Sequence, residues 1–143
     1  MMSKETIKAL NKLLQGEHMA VEAFNSYIDE IDDKDMKRTF QEVQNQHREN
    51  MTVLSNYIQD LGHKPDEKLG LKGVMGDLMV NMDLAGDTDP SYVVNKAIKG
   101  ESQGINMAEK VLRGRLDDKS RNLAGEILRK DRESLSKLQQ FKH

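Results

Sequence analysis

Glu17, Gln44, His47, Glu101, Asp131 and Ser134 stand where the apolar stripes of four helical segments should continue. Glu17 falls seven residues after Leu10 and seven before Phe24. Gln44 and His47 lie between Phe40 and Met51, Glu101 between Ile98 and Ile105, and Asp131 with Ser134 between Ile127 and Leu138. A carboxylate in an apolar interior is costly unless it is paired or bound to metal. Three at one level repel one another, and no lysine or arginine shares the inward stripes beside them. A divalent cation relieves that repulsion. Oxygen donors with one imidazole suit iron or manganese, and also zinc. The expected ligands are Glu17, His47, Glu101 and Asp131. Gln44 and Ser134 are expected as supporting neighbours or weak ligands, since a glutamine carbonyl can hold a hard cation. The alternative is a hydrogen-bonded polar layer without metal, in which His47 is protonated or one carboxyl keeps its proton.

The elements that must position these groups follow from periodicity. The first helix is expected from about Ser3, as N-cap, to Ile31, with a stripe of Ile7, Leu10, Leu14, Ala20, Phe24 and Ile28. The second runs from Lys34 to Leu61 on Met36, Phe40, Val43, Met51, Leu54 and Ile58, and Gly62 ends it as a C′ glycine. The turn at Asp32 and Asp33 is so short that the two helices must be antiparallel neighbours. Residues 62–90 carry repeated Gly and two Pro, with Leu71, Val74, Met75, Leu78 and Met82 at helical spacing. They read as a crossover of bundle length containing a short helix over Leu71–Leu84. The third long helix is expected from Ser91 as its cap, and a turn near Leu116–Asp118 leads to the fourth.

The levels agree. Glu17 and His47 each lie 15 residues from position 32, and Glu101 and Asp131 each lie 15 from position 116. At the helical rise, all four sit roughly 22 Å from their hairpin turn. The hairpins also repeat each other: Phe40, Gln44, His47 and Met51 match Ile127, Asp131, Ser134 and Leu138 at an offset of 87. Gly16-Glu17 echoes Gly100-Glu101. Glycine costs a helix about 1 kcal/mol relative to alanine, so both glycines point to close packing. His18 is turned roughly 100° from Glu17 and reads as flank or surface; His63 and His143 read as remote from the layer.

Composition supports one all-α domain over residues 1–143. Apolar residues make up 36% and charged residues 32%, the balance of helices that bury one face. The net charge is −2 and neither sign forms a block, so neither nucleic acid nor an anionic membrane is an expected partner. There is no cysteine, which excludes disulfides and thiolate chemistry. The absence of a signal-type segment or a spanning apolar run fits a cytoplasmic protein. The apolar face of Leu71, Met75, Leu78 and Met82 exceeds what a closed four-helix bundle needs to cover, so a homodimer is expected.

With two inward glutamates, and Gln44-x-x-His47 and Asp131-x-x-Ser134 in the places of Glu-x-x-His, the chain resembles the ferritin-like di-iron carboxylate superfamily. It looks most like a bacterial ferritin-like family of uncharacterised function that carries a Gly-Glu pair such as Gly100-Glu101 on its third helix. The resemblance implies a ferritin-like four-helix bundle holding iron at a degenerate di-iron or mononuclear site. It also implies iron oxidation or peroxide handling, with Glu17, Glu101 and Asp131 bridging and His47 as terminal ligand. The other reading is a non-catalytic stress or structural protein on the same fold. Whether the chain is an enzyme stays open between the two.

Overall fold

The computed structural model describes residues 4–65 and 89–142. Four helices account for the regular structure there: α1 Lys4–Asp29, α2 Lys34–Asp60, α3 Pro90–Leu112 and α4 Asp118–Gln139. Local chemistry sets their ends. Asp33 Oδ1 accepts the Met36 amide at 2.8 Å, capping the free donors of the first turn of α2. At the other end of α2, Gly62 adopts φ +83°. Its N–H bonds Gln59 O at 2.9 Å and the His63 N–H bonds Ile58 O at 3.1 Å, the paired bonds of a glycine-terminated helix. The start of α3 differs from the expectation of a Ser91 cap. Asp89 caps it, accepting from the Ser91 N–H at 3.0 Å, and Pro90 takes the first helical position, where its missing N–H costs nothing. Replacing Asp33 with alanine is expected to cost about 1 kcal/mol, read as a fall of a few degrees in Tm with the helical circular-dichroism signature retained.

The helices form two antiparallel hairpins, α1 on α2 and α3 on α4, set side by side so that α1 packs on α3 and α2 on α4. Three contacts show that α1 and α3 are antiparallel. Thr6 Oγ1 bonds Arg115 O at 3.3 Å, Gly16 faces Met107, and Tyr27 Oη bonds Lys96 O at 3.5 Å. It follows that α2 and α3 run parallel. The last turn of α2 and the first of α3 therefore lie at opposite ends of the bundle, as a crossover connection requires. The short helix expected over Leu71–Leu84, and the apolar face on which the homodimer expectation rests, lie outside the described residues. No helix among those described is long and apolar enough to cross a membrane.

The core is divided. One apolar cluster joins Phe24, Tyr27, Ile31, Phe40, Val94 and Leu138; another joins Leu10, Leu14, Leu54, Ile58, Ile105 and Ile127. Glu17, His47, Asn50, Glu101 and Asp131 lie between them along the helices, all at most 6% exposed. The apolar layers above and below bury these groups within the bundle.

Candidate metal centre

His47 is the hub. Its Nδ1 contacts Glu17 Oε2 and its Nε2 contacts Glu101 Oε1, so α2 supplies an imidazole held between carboxyls from α1 and α3. From α4, Asp131 Oδ1 lies 3.7 Å from Nδ1. The Phe24 ring packs over the imidazole at 5.8 Å between centroids. Asn50, one turn beyond His47, donates its amide to Glu17 Oε1 and Asp131 Oδ1, both at 3.2 Å. The carbonyl of that amide accepts from Gln46 Nε2 at 3.0 Å, which turns the NH2 toward the carboxyls.

Burial and charge oppose each other here. Burial alone would lower the pKa of His47, but Glu101 and Glu17 outweigh it and hold the imidazole well above its ordinary value of 6.5. Asp131 is pushed from 3.8 up to about 10, first by burial and then by the charge of Glu17. Asp131 therefore keeps its proton at neutral pH when no other cation is near. Tyr27 is raised to about 12 by burial and by Glu101.

The four expected ligands thus meet in one layer. Ligand atoms of Glu17, His47 and Asp131 lie within 4.8 Å of one another, close enough for a metal ion to draw them together. Gln44 is buried, but its amide nitrogen goes to α1, bonding Val21 O at 2.9 Å and Asn25 Oδ1 at 2.7 Å. Ser134 is buried on α4, one turn beyond Asp131. His18 is half-buried and its Nδ1 has no hydrogen-bond partner among the described residues, while His63 is exposed. Asn50 is the residue that periodicity missed. It lies seven residues after Val43 and four before Leu54, a spacing that places it on the stripe ahead of Met51.

A cavity of about 210 Å³ opens along the α1–α3 seam and reaches the cluster. Its walls are mostly apolar, among them Leu13, Ala23, Phe24, Ala97 and Met107, and Glu17, His47, Glu101 and Asp131 also line it. The two glycines that precede the inward glutamates both lie on this seam. A Cβ on Gly16 would meet the Met107 methyl, the free end of a flexible side chain, so Met107 rather than the α3 backbone would have to shift. Gly100 differs from expectation: a Cβ there would meet Tyr27 Oη at an ordinary 3.5 Å, so no close approach demands it.

Two hairpins around a buried carboxylate–imidazole layer define a ferritin-like helical bundle with a group that could hold a metal. The backbone bears this out. The chain superposes with a TM-score of 0.75 on a crystal structure from Anabaena variabilis, that of a two-domain protein with DJ-1/ThiJ/PfpI-like and ferritin-like domains. The identity is 21%, and the match covers 96% of this chain but 36% of that one. Residues 5–114 match the family described as a domain of unknown function, DUF2383, and the chain belongs to that family. No curated protein matches it.

Proposed function

We propose that this bundle binds a divalent transition metal, iron or a chemically similar ion such as manganese or zinc, in its central layer. The observation that carries the reading is the burial of three carboxyls around a single imidazole. Among the described residues, His47 is the cation paired with them. The donor set fits such an ion: hard oxygens with one nitrogen, shielded from water, with ligand atoms from Glu17, His47 and Asp131 already within 4.8 Å. Bound there, iron would supply one-electron chemistry toward a small oxidant, in line with iron oxidation or peroxide handling. The protein's own part is to hold the donors, to exclude bulk water with its two apolar layers, and to leave the cavity on the α1–α3 seam as the approach.

A second reading has its own observation. Both ring nitrogens of His47 already meet carboxyls, so the layer is also a closed hydrogen-bonded network that can stand without metal. A structural protein without redox turnover needs nothing more. Thermal melting separates the two. Ferrous iron under anaerobic conditions, manganese or zinc at about a hundred times Kd should add roughly 2.7 kcal/mol to stability. The resulting rise in Tm should vanish in Glu17→Gln. Melting curves that none of the three metals moves would select the closed polar network.

A further inference from the structure

We propose that the centre holds a single divalent ion on the Nδ1 side of His47, with Glu17 and Asp131 as its carboxylate ligands, and that Glu101 serves the ring rather than the ion. This rests on the metal-binding reading above and narrows it. The two ring nitrogens stand in different surroundings. Nδ1 has two carboxyl oxygens before it, Glu17 Oε2 in contact and Asp131 Oδ1 at 3.7 Å. Nε2 has Glu101 Oε1. Two oxygens and one imidazole nitrogen, mutually within 4.8 Å, form a three-donor face that one ion can close. A carboxylate against the opposite nitrogen does a different task in metal sites: it accepts the remaining N–H, fixes the tautomer and orients the ring. Glu101 is accordingly a positioning residue.

Asn50 is a second positioning residue. Anchored by Gln46, its amide engages Glu17 Oε1, which leaves Oε2 for the ion, and it steadies the Asp131 oxygen that faces Nδ1. Of the five residues in the cluster, Asn50 is the one that does not line the cavity. It backs the carboxylates while the cavity remains open to the ion. A second ion finds no comparable face. Among the described residues the donor group contains one imidazole, and α4 offers Ser134 one turn beyond Asp131.

The full chain titrated with Zn(II) tests this, read by calorimetry for stoichiometry and by histidine-ring nitrogen NMR. The expected result is one Zn(II) per chain, with His47 Nδ1 moving to a metal-bound shift while Nε2 keeps its proton. Glu101→Gln should still bind one Zn(II), weakened about 10–100-fold, and Asn50→Leu should behave in the same way. Glu17→Gln should lose binding well beyond that. Saturation at two ions, a metal-type shift at Nε2, or loss in Glu101→Gln as complete as in Glu17→Gln would overturn the assignment and leave the metal reading standing. No Zn(II) binding by the native chain would remove both. The ring spectra of the native chain decide the question even if a variant fails to fold.

Discussion

Asparagine at position 131 should make the metal-free protein more stable and blind to metal. The native Asp131 carboxyl holds its proton up to about 10, whereas in an unfolded chain it ionises near 3.8. At pH 7 folding must therefore draw a proton onto this group. At about 1.4 kcal/mol per pH unit, the penalty reaches roughly 4 kcal/mol. Asparagine is nearly isosteric, neutral at every pH, and keeps a donor for Glu17. Asp131→Asn should recover about 2–4 kcal/mol of that cost, raising Tm of the chelator-treated protein by roughly 5–15 °C. The same substitution removes an anionic ligand, so added metal should no longer shift the curve. A functional group that costs stability is the usual trade at a binding site. If the variant melted below the native protein in chelator, Asp131 would be stabilising the layer and its burial would need another explanation.

The second large effect is on pH. His47 has a raised native pKa, so its contribution to stability is fully present below about 6.5 and is lost as pH climbs through the native value. Asp131 has the same sign, although it is an acid. Its native pKa lies above the unfolded one, so its contribution declines from about 3.8 upward until the native group ionises near 10. Above 6.5 the native state binds up to two more protons than the unfolded chain at these positions. Stability of the metal-free protein should then fall with pH, by at most about 3 kcal/mol per unit. Denaturant titrations from pH 6 to 9 in chelator measure it. Metal acts in the opposite sense, because it competes with the protons on His47 and Asp131 and so binds more tightly as pH rises. Metal-free stability that rose over this range would mean that the layer ionises without strain.

The sequence carried the site better than it carried the site's supports. Glu17, His47, Glu101 and Asp131 were legible because inward polar residues break the stripes, and equal distances from two hairpin turns set them at one level. A wrong turn position would have scattered them, and their contacts show that it did not. Asn50 escaped because helical periodicity allows steps of three or four. Met51, the more apolar neighbour, filled the place on the stripe that Asn50 takes in the fold. Gln44 shows how far a spacing argument reaches. Its position is inward as expected, yet rotamer and neighbours decide where a long amide points, and Val21 O and Asn25 draw it to α1. The cap of α3 was displaced by two residues because Pro90 fits the first turn of a helix as well as it fits the loop before one. The cavity on the α1–α3 seam had no signature in periodicity, since it arises from how small side chains on two helices face each other.

The most direct test of the central claim is elemental analysis of the chain purified without chelator from cells supplied with iron, manganese and zinc. The account predicts about one divalent transition-metal ion per chain, retained through gel filtration and absent from Glu17→Gln prepared in parallel. A native protein that carries no more metal than the variant, and takes up none on reconstitution, would contradict it and leave the bundle as a ferritin-like fold closed around a polar network.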